Sequence, residues 1–555
     1  MSDDHDLLGD LPKPTSRRRF LLLGGTAVVA AGAATWCARR HHGPLGSGKQ
    51  AAGGELVFAL AGGGSPRINL DPHNSGFAPD NRIIHSIYDS LTELKPDGSV
   101  GPWLAENWDI SPDHTRYTFH LKRGVTFHDG TVFDAAAVKA NFDRLANKAN
   151  ALLAISSLGT YQSARVIDPQ TVEITLSAPF SALLRNLSSS KLAIVSPAAF
   201  AKWGKAFGQN PVGTGPFRFL GLTPATEVRL ERNPDYHWAP PSAANQGPAL
   251  LEKLTFRNVP EESTRISVLR SGQALAADLI PPQNIASFRN DPDFHLLQHE
   301  LLETNYSLAF NGNKAPWNDD DVRRAVRGAI DVDDIIRTVY LGEFPRAWSS
   351  LSPSLPGSAE KALTGSWRFD PDHARVVLDQ KGWKPGADGI RTKDGRPLTI
   401  SFLDTQGNRE KRIDVVQLVR RQLRSVGVDL RIDSEAAGAY VAKLKSGDYD
   451  LTGGASFHPD PDILRPTWVP EFRSPLAGAH VDDPQIAQWL RDASQDPDEH
   501  SRAELYGKVQ HRIADKAYSI PIYVLIYNVV TARSVLGVTF DAHGFAGFQS
   551  AWIAQ

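Results

Sequence analysis

Apolar positions along this chain follow two rhythms, one of every second residue and one of every third or fourth. Residues 55–61 form an apolar run of strand length. Residues 116–128 alternate, with Tyr117, Phe119 and Leu121 followed after Gly124 by Val125 and Phe127, which predicts a half-buried strand pair. Residues 171–176 alternate again through Val172, Ile174 and Leu176. Helical spacing appears over residues 80–91, where Ile83, Ile84, Ile87, Tyr88 and Leu91 share a face, and after Asp134, which can cap a helix carrying Val138, Phe142 and Leu145. Residues 320–330 and 331–340 predict two successive helices with acidic starts, and Asp370-Pro371 opens another that Gly382 stops. Residues 413–426 are amphipathic, Gly427 ends them, and 428–432 alternate as a strand. Helix, glycine, strand is the α/β unit, so the body reads as α/β with antiparallel pieces and no internal repeat.

The first fifty residues follow neither rhythm. Ser16-Arg17-Arg18-Arg19-Phe20-Leu21 leads into an uncharged run from Phe20 to Trp36 that closes on small residues. A basic segment, an apolar segment and an A-x-A end make an export signal, and Arg17, Arg18 and Phe20 give it the form of a twin-arginine address. The chain is thus expected outside the cytoplasm, at the outer face of the cytoplasmic membrane or in the periplasm. A retained anchor is the competing reading, and Trp36 before Cys37 disfavours lipidation, which needs a small residue there. A Gly/Ser/Pro-rich linker follows; within it, residues 43–49 match G-x-x-x-x-G-K, but Gln50 stands where a hydroxyl would hold Mg²⁺.

Composition narrows the chemistry. Of 555 residues, 41% are hydrophobic and 22% charged, with a formal net charge of −2, which suits a globular body and excludes a disordered or polytopic membrane chain. Residues 1–54 carry +3 and the remainder −5, so the body offers no electrostatic footprint for nucleic acid. The single cysteine, Cys37, excludes an intramolecular disulfide and a Cys-ligated zinc site. G-x-S-x-G and H-E-x-x-H are absent. No cofactor is implied and no catalytic residue is indicated; a secreted hydrolase survives only as a rival reading.

Several stretches resemble the extracytoplasmic solute-binding proteins of ABC importers, in the peptide/nickel/opine-binding family 5. They are Leu104-Ala-Glu-Asn-Trp108 with residues 117–121 and 124–130, then Gly213-Thr-Gly-Pro-Phe-Arg-Phe219 with Glu231-Arg-Asn-Pro-Asp-Tyr236. Residues 321–331 come next, then 370–383 with 393–398, and finally Ile520-Pro-Ile-Tyr523. The turns at 213–216 and 233–235 read as structural, and Arg232 as half of a structural ion pair. The resemblance implies a two-lobed periplasmic-binding-protein-like fold of the type II, cluster C kind, α/β in class, with an extra inserted domain. It places lobe I at 55–97, 212–305 and 522–555, the insert at 98–211, and lobe II at 306–521. It implies a monomer that captures a peptide-like or other small polar solute by lobe closure and delivers it to a membrane permease.

Peptide-binding members carry a loop W-x-x-D-x-x-D-P whose Asp receives the peptide ammonium. Aligned on Asp460-Pro461, this chain has Gly454 and Phe457 in those places. Nickel-binding relatives put a His after the D-P; here it is Asp462. Candidate ligand contacts are therefore Phe457, His458 and Asp460, with Asn74 and Phe77 (beside Asp71 and His73) after the first strand, and the loop aromatics Trp348 and Trp468. A metal chelate held through His458 and Asp460, an opine and a sugar are the alternative solutes.

Overall fold

The computed structural model describes residues 52–62, 68–75, 78–405 and 407–554. Arg17, Arg18, Phe20, Cys37 and Phe77 lie outside these residues.

Most of the predicted elements form, each with a local cause. Asp134 accepts a hydrogen bond from the Ala137 amide (2.8 Å) at the head of the helix Ala135–Ala146. Asp319, Asp331 and Asp370 cap the helices Asp320–Gly328, Val332–Val339 and Pro371–Gln380 in the same way. The helix Arg412–Arg424 gives way at Gly427, whose φ of +84° suits only glycine without strain, to the strand Asp429–Glu435. Two expectations change. The helix expected over residues 80–91 ends at Ile87, and Tyr88 and Leu91 are buried beyond its end. The strand Arg116–Leu121 forms, but Val125 and Phe127 belong to a tight turn closed by the single bridge Thr126–Val132. The two apolar side chains are buried there without a second strand.

Three sheets carry the architecture. The largest has seven strands in the order Phe294–Glu300, Ile526–Ala532, Ala276–Asp278, Glu55–Leu60, Lys253–Asn258, Glu227–Arg232 and Phe217–Thr223. Its strand Glu55–Leu60 runs parallel to both Lys253–Asn258 and Ala276–Asp278. A five-stranded sheet follows the order Asp429–Glu435, Thr399–Thr405, Leu451–Gly454, Tyr306–Phe310 and Ser519–Tyr523. The chain passes between these two sheets at 301–305 and returns at 524–525. The crossings are neighbours, because Glu300 pairs with Ile526 on one side and Tyr306 with Tyr523 on the other. The third sheet, of Ala105–Ile110, Arg116–Leu121, Thr171–Leu176 and Tyr161–Asp168, is antiparallel throughout. With the helix Ala135–Ala146 it encloses a core of its own around Phe119, Val138, Phe142, Val172 and Ile174.

This third unit is tied to the first sheet by a buried carboxylate. Asp89, wholly buried, accepts hydrogen bonds from Thr214 Oγ1 (2.9 Å), Tyr236 Oη (3.2 Å) and Trp238 Nε1 (3.0 Å). Burial pushes its carboxyl up to about 7 against those three donors. The same node explains the bend at 213–216: the Gly215 amide donates to the Ile87 carbonyl at 2.9 Å, and a Cβ on Gly215 would stand 2.6 Å from the Ile87 carbonyl carbon. Arg232 corrects an expectation, since its guanidinium donates to the carbonyls of Leu250 (2.6 Å) and Leu251 (3.1 Å) instead of pairing with an acid. A Gly215→Ala substitution must move backbone against backbone. It is expected to cost roughly 1–3 kcal/mol, read as a lower urea midpoint with an unchanged m-value.

Candidate functional site

The carboxyl ends of the parallel strands in both large sheets open onto one cavity of about 860 Å³. Ala61, Asn258 and Leu279 line it from the first sheet, and Asp404, Thr405 and Gly454 from the second. A crevice at strand carboxyl ends is where open α/β sheets take ligands, because the connecting loops diverge there.

Charged groups crowd the wall nearest the crossings. Arg82, at the first helix Ala78–Ile87, pairs with buried Asp278 at 2.7 Å, and Tyr527 Oη also donates to that carboxylate at 3.1 Å. Opposite stands Glu410, which receives Arg412 Nη2 at 2.6 Å, Tyr523 Oη at 2.8 Å and Arg409 Nε at 3.1 Å. Burial pushes the Glu410 carboxyl up, but Arg409, Arg412 and the Tyr523 hydroxyl outweigh it and hold the group down at about 2. Glu410 and Lys411 both adopt left-handed backbone, φ +56° and +58°, a conformation that costs a non-glycine residue energy and marks a position fixed by its surroundings. Asn408 steadies the turn by accepting from the Ile413 amide at 2.9 Å.

Two carboxyls in the cavity wall are only partly compensated. Glu303, in the first crossing, is buried and its Oε1 has no hydrogen-bond partner. Burial, reinforced by Glu410 and opposed by Arg412, Arg409 and Arg82, raises it from 4.5 to about 8. Asp404 is raised to about 6, also by burial, and its Oδ2 is unpartnered.

The far wall is the segment 454–468. Its backbone joins the crossing through the Glu303–Phe457 bridge and the hydrogen bond from the His458 amide to the Leu302 carbonyl (3.0 Å). Phe457 lines the cavity and packs edge-on against Phe545 (4.6 Å) and His543 (5.7 Å). His458 lines it too; burial first, then the Lys191 charge, depresses its imidazole to about 3, so it is neutral. Trp468 completes the wall, tilted against Tyr518.

The other predicted contacts lie elsewhere. Asp460 is not among the described cavity-lining residues: its carboxylate caps the Asp462 amide (2.9 Å) and binds Arg502 (2.8 Å), so it does not converge with His458 on a shared point. Asn74 is exposed, while Asp71 and His73 are buried around Arg144. Trp348 lies beneath the Arg346 guanidinium (3.6 Å) and beside Trp367, away from the described lining. Sequence reasoning missed Lys191, Glu303, Asp404 and 409–412. The run Asn408-Arg-Glu-Lys-Arg412 reads as a solvated charged turn, and the only local sign of burial at Glu303 is the apolar pair Leu301-Leu302 before it.

This architecture is the two-lobed periplasmic-binding-protein fold, and the match to the model of bacterial extracellular solute-binding proteins, family 5, over residues 99–471 agrees with it. The chain belongs to that family, the solute-binding components of ABC importers, which are not enzymes. It is similar to the glutathione-binding protein GsiB of Salmonella paratyphi A, 30% identical over 494 residues that cover 86% of this chain and 90% of that one. Among solved structures it resembles NikA from Brucella suis in complex with Fe(III)-EDTA, at 29% identity and a TM-score of 0.77 over 90% of this chain and 100% of that one. It also resembles the oligopeptide-binding protein AppA from Bacillus subtilis in complex with a nonapeptide, at 20% identity and a TM-score of 0.81 over 91% and 100%.

Glu303 has a measurable signature. Its folded-state carboxyl titrates near 8 against an ordinary 4.5. The folded state therefore loses ground to the unfolded state as pH rises through that window, and is unpenalised below it. The Glu303→Gln variant is expected to melt near wild type at pH 4.5–5 and roughly 2–5 °C above it at pH 8. A pH-independent difference in scanning calorimetry would contradict the assignment.

Proposed function

We propose that this protein captures a peptide-like or other small polar solute between its lobes and delivers it to a membrane permease. The observation that carries the reading is the cavity of about 860 Å³ at which the strand ends of both large sheets meet, with the two crossings at its back. In this reading lobe I comprises 55–97, 212–305 and 522–555, the insert 98–211, and lobe II 306–521, and the crossings are the hinge. Ion pairs join the lobes across the opening: Glu262 with Lys411 and Arg289 with Glu343, each at 2.6 Å. A solute filling the cavity favours the arrangement in which those pairs form, and the closed form is what a permease would distinguish. The binding of glutathione, peptides or metal complexes by relatives supports a solute of that size with polar groups; in this reading the protein works as a monomer. Arg17, Arg18 and Phe20 support delivery across the membrane by the twin-arginine route.

Isothermal titration against peptides, glutathione, opines, sugars and metal chelates is expected to show 1:1 binding by at least one class, with a smaller radius of gyration in solution scattering on saturation. Failure of every class would sink the proposal. Lys411→Met unties a half-buried pair worth about 0.2–1 kcal/mol, so the affinity is expected to fall by no more than roughly fivefold. Replacing Arg17 and Arg18 by Lys is expected to leave the chain in the cytoplasm, as fractionation would reveal.

A further inference from the structure

The cations in the cavity wall are matched, with one exception. Arg82 has Asp278, Arg409 and Arg412 share Glu410, and Lys411 has Glu262. Arg265 donates to four carbonyls, those of Val259, Pro260, Asp278 and Leu279. Lys191 stands apart. It arrives from the short turn Ser190–Leu192, reaches the far wall, and donates one hydrogen bond to the Phe457 carbonyl at 2.8 Å, with its ammonium 5.7 Å from the centre of the Phe457 ring. Among the described residues it forms no ion pair. The acids of the adjoining loop are already engaged, Asp460 by Arg502 and Asp462 by Arg465, each at 2.8 Å. The neighbouring His458 is neutral and brings no negative charge.

An ammonium carries three donors, and one carbonyl occupies one of them. Taking such a group out of water without a counter-charge is unfavourable, and burial alone pulls Lys191 down from 10.5 to about 8. A carboxylate in the cavity would answer both deficits, taking the free N–H donors and supplying one negative charge to one positive. Phosphate, with its larger charge and three acceptor oxygens, would leave acceptors unmatched at a single lysine.

We propose that Lys191 is the receptor for a carboxylate of the solute, whose acidic group lies beside Phe457 on the far wall of the cavity. The proposal rests on the solute-binding reading above and narrows it to acid-bearing solutes. The polarity at this wall is then opposite to that of a site built to receive an ammonium.

The test uses matched acid and carboxamide probes: trialanine and trialanine amide, glutathione and its diamide, and an N-carboxyalkyl amino acid and its amide. They are titrated into the full chain and into Lys191→Met and Lys191→Arg variants. Expected is at least one pair in which the acid binds roughly 10- to 100-fold tighter than the amide. In Lys191→Met the ratio of acid to amide affinity falls to about one, and in Lys191→Arg most of it returns. If Lys191 only bridged the two walls, both members of a pair would weaken together and the ratio would survive, which would overturn the proposal. Equal binding of acid and amide by the wild type would overturn it too. If only sugars or cationic chelates bind, the carboxylate receptor is refuted while solute binding stands; if no solute of any class binds, both fall.

Discussion

Everything at the cavity depends on the chain passing twice between its two large sheets at one place. Residues 301–305 and 524–525 are held side by side because the strands on either end of them are paired, Glu300 with Ile526 and Tyr306 with Tyr523. Two adjacent strands of backbone can bend together, but they cannot slide or separate without unzipping both sheets. In the two-lobe reading proposed above, this place is the axis of the lobes' relative motion. Glu303 sits on that axis, and its backbone is bridged to Phe457. The far wall and the crossing thus move as one.

Around this axis the protein keeps an unusual density of buried charge. Most of it is neutralised within the wall: Asp278 by Arg82 and Tyr527, Glu410 by Arg409, Arg412 and Tyr523. Such pairs add little net stability, because desolvation offsets their attraction, but removing one member leaves the other stranded at a cost of about 3–5 kcal/mol. Their effect is to hold side chains in place, and the left-handed backbone at Glu410 and Lys411 is held by the same contacts. A wall fixed in this way presents a set electrostatic pattern to whatever enters. The groups left partly uncompensated, Glu303, Asp404 and Lys191, are then the ones free to respond to a solute.

The elements were legible in the sequence wherever local chemistry decides them. Asp134, Asp319, Asp331 and Asp370 cap helices through their own side chains, and Gly427 turns the chain by itself. The turn after Leu121 was misread because alternation cannot distinguish a second strand from two apolar side chains tucked under a bend. At the site, Phe457 and His458 could be picked out by their place in one loop and Trp468 as a loop aromatic, and all three line the cavity. Asp460 belongs to the same loop but turns to Arg502, forty-two residues further along the chain. Lys191 could not be found at all, since what distinguishes it is the lack of an acid near a residue far away in sequence. A missing partner leaves no motif.

The contact between Lys191 and residue 457 is made to a carbonyl oxygen. Every amino acid has that oxygen, so the side chain at 457 is not constrained by the bridge. The ring can be exchanged for a smaller, larger or polar group while the lysine stays anchored where it is. The two features can then vary on separate schedules: the lysine reads charge, and residue 457 sets the shape of the space beside it. A lineage or an engineer could retune which acids fit without first rebuilding the grip that recognises them as acids.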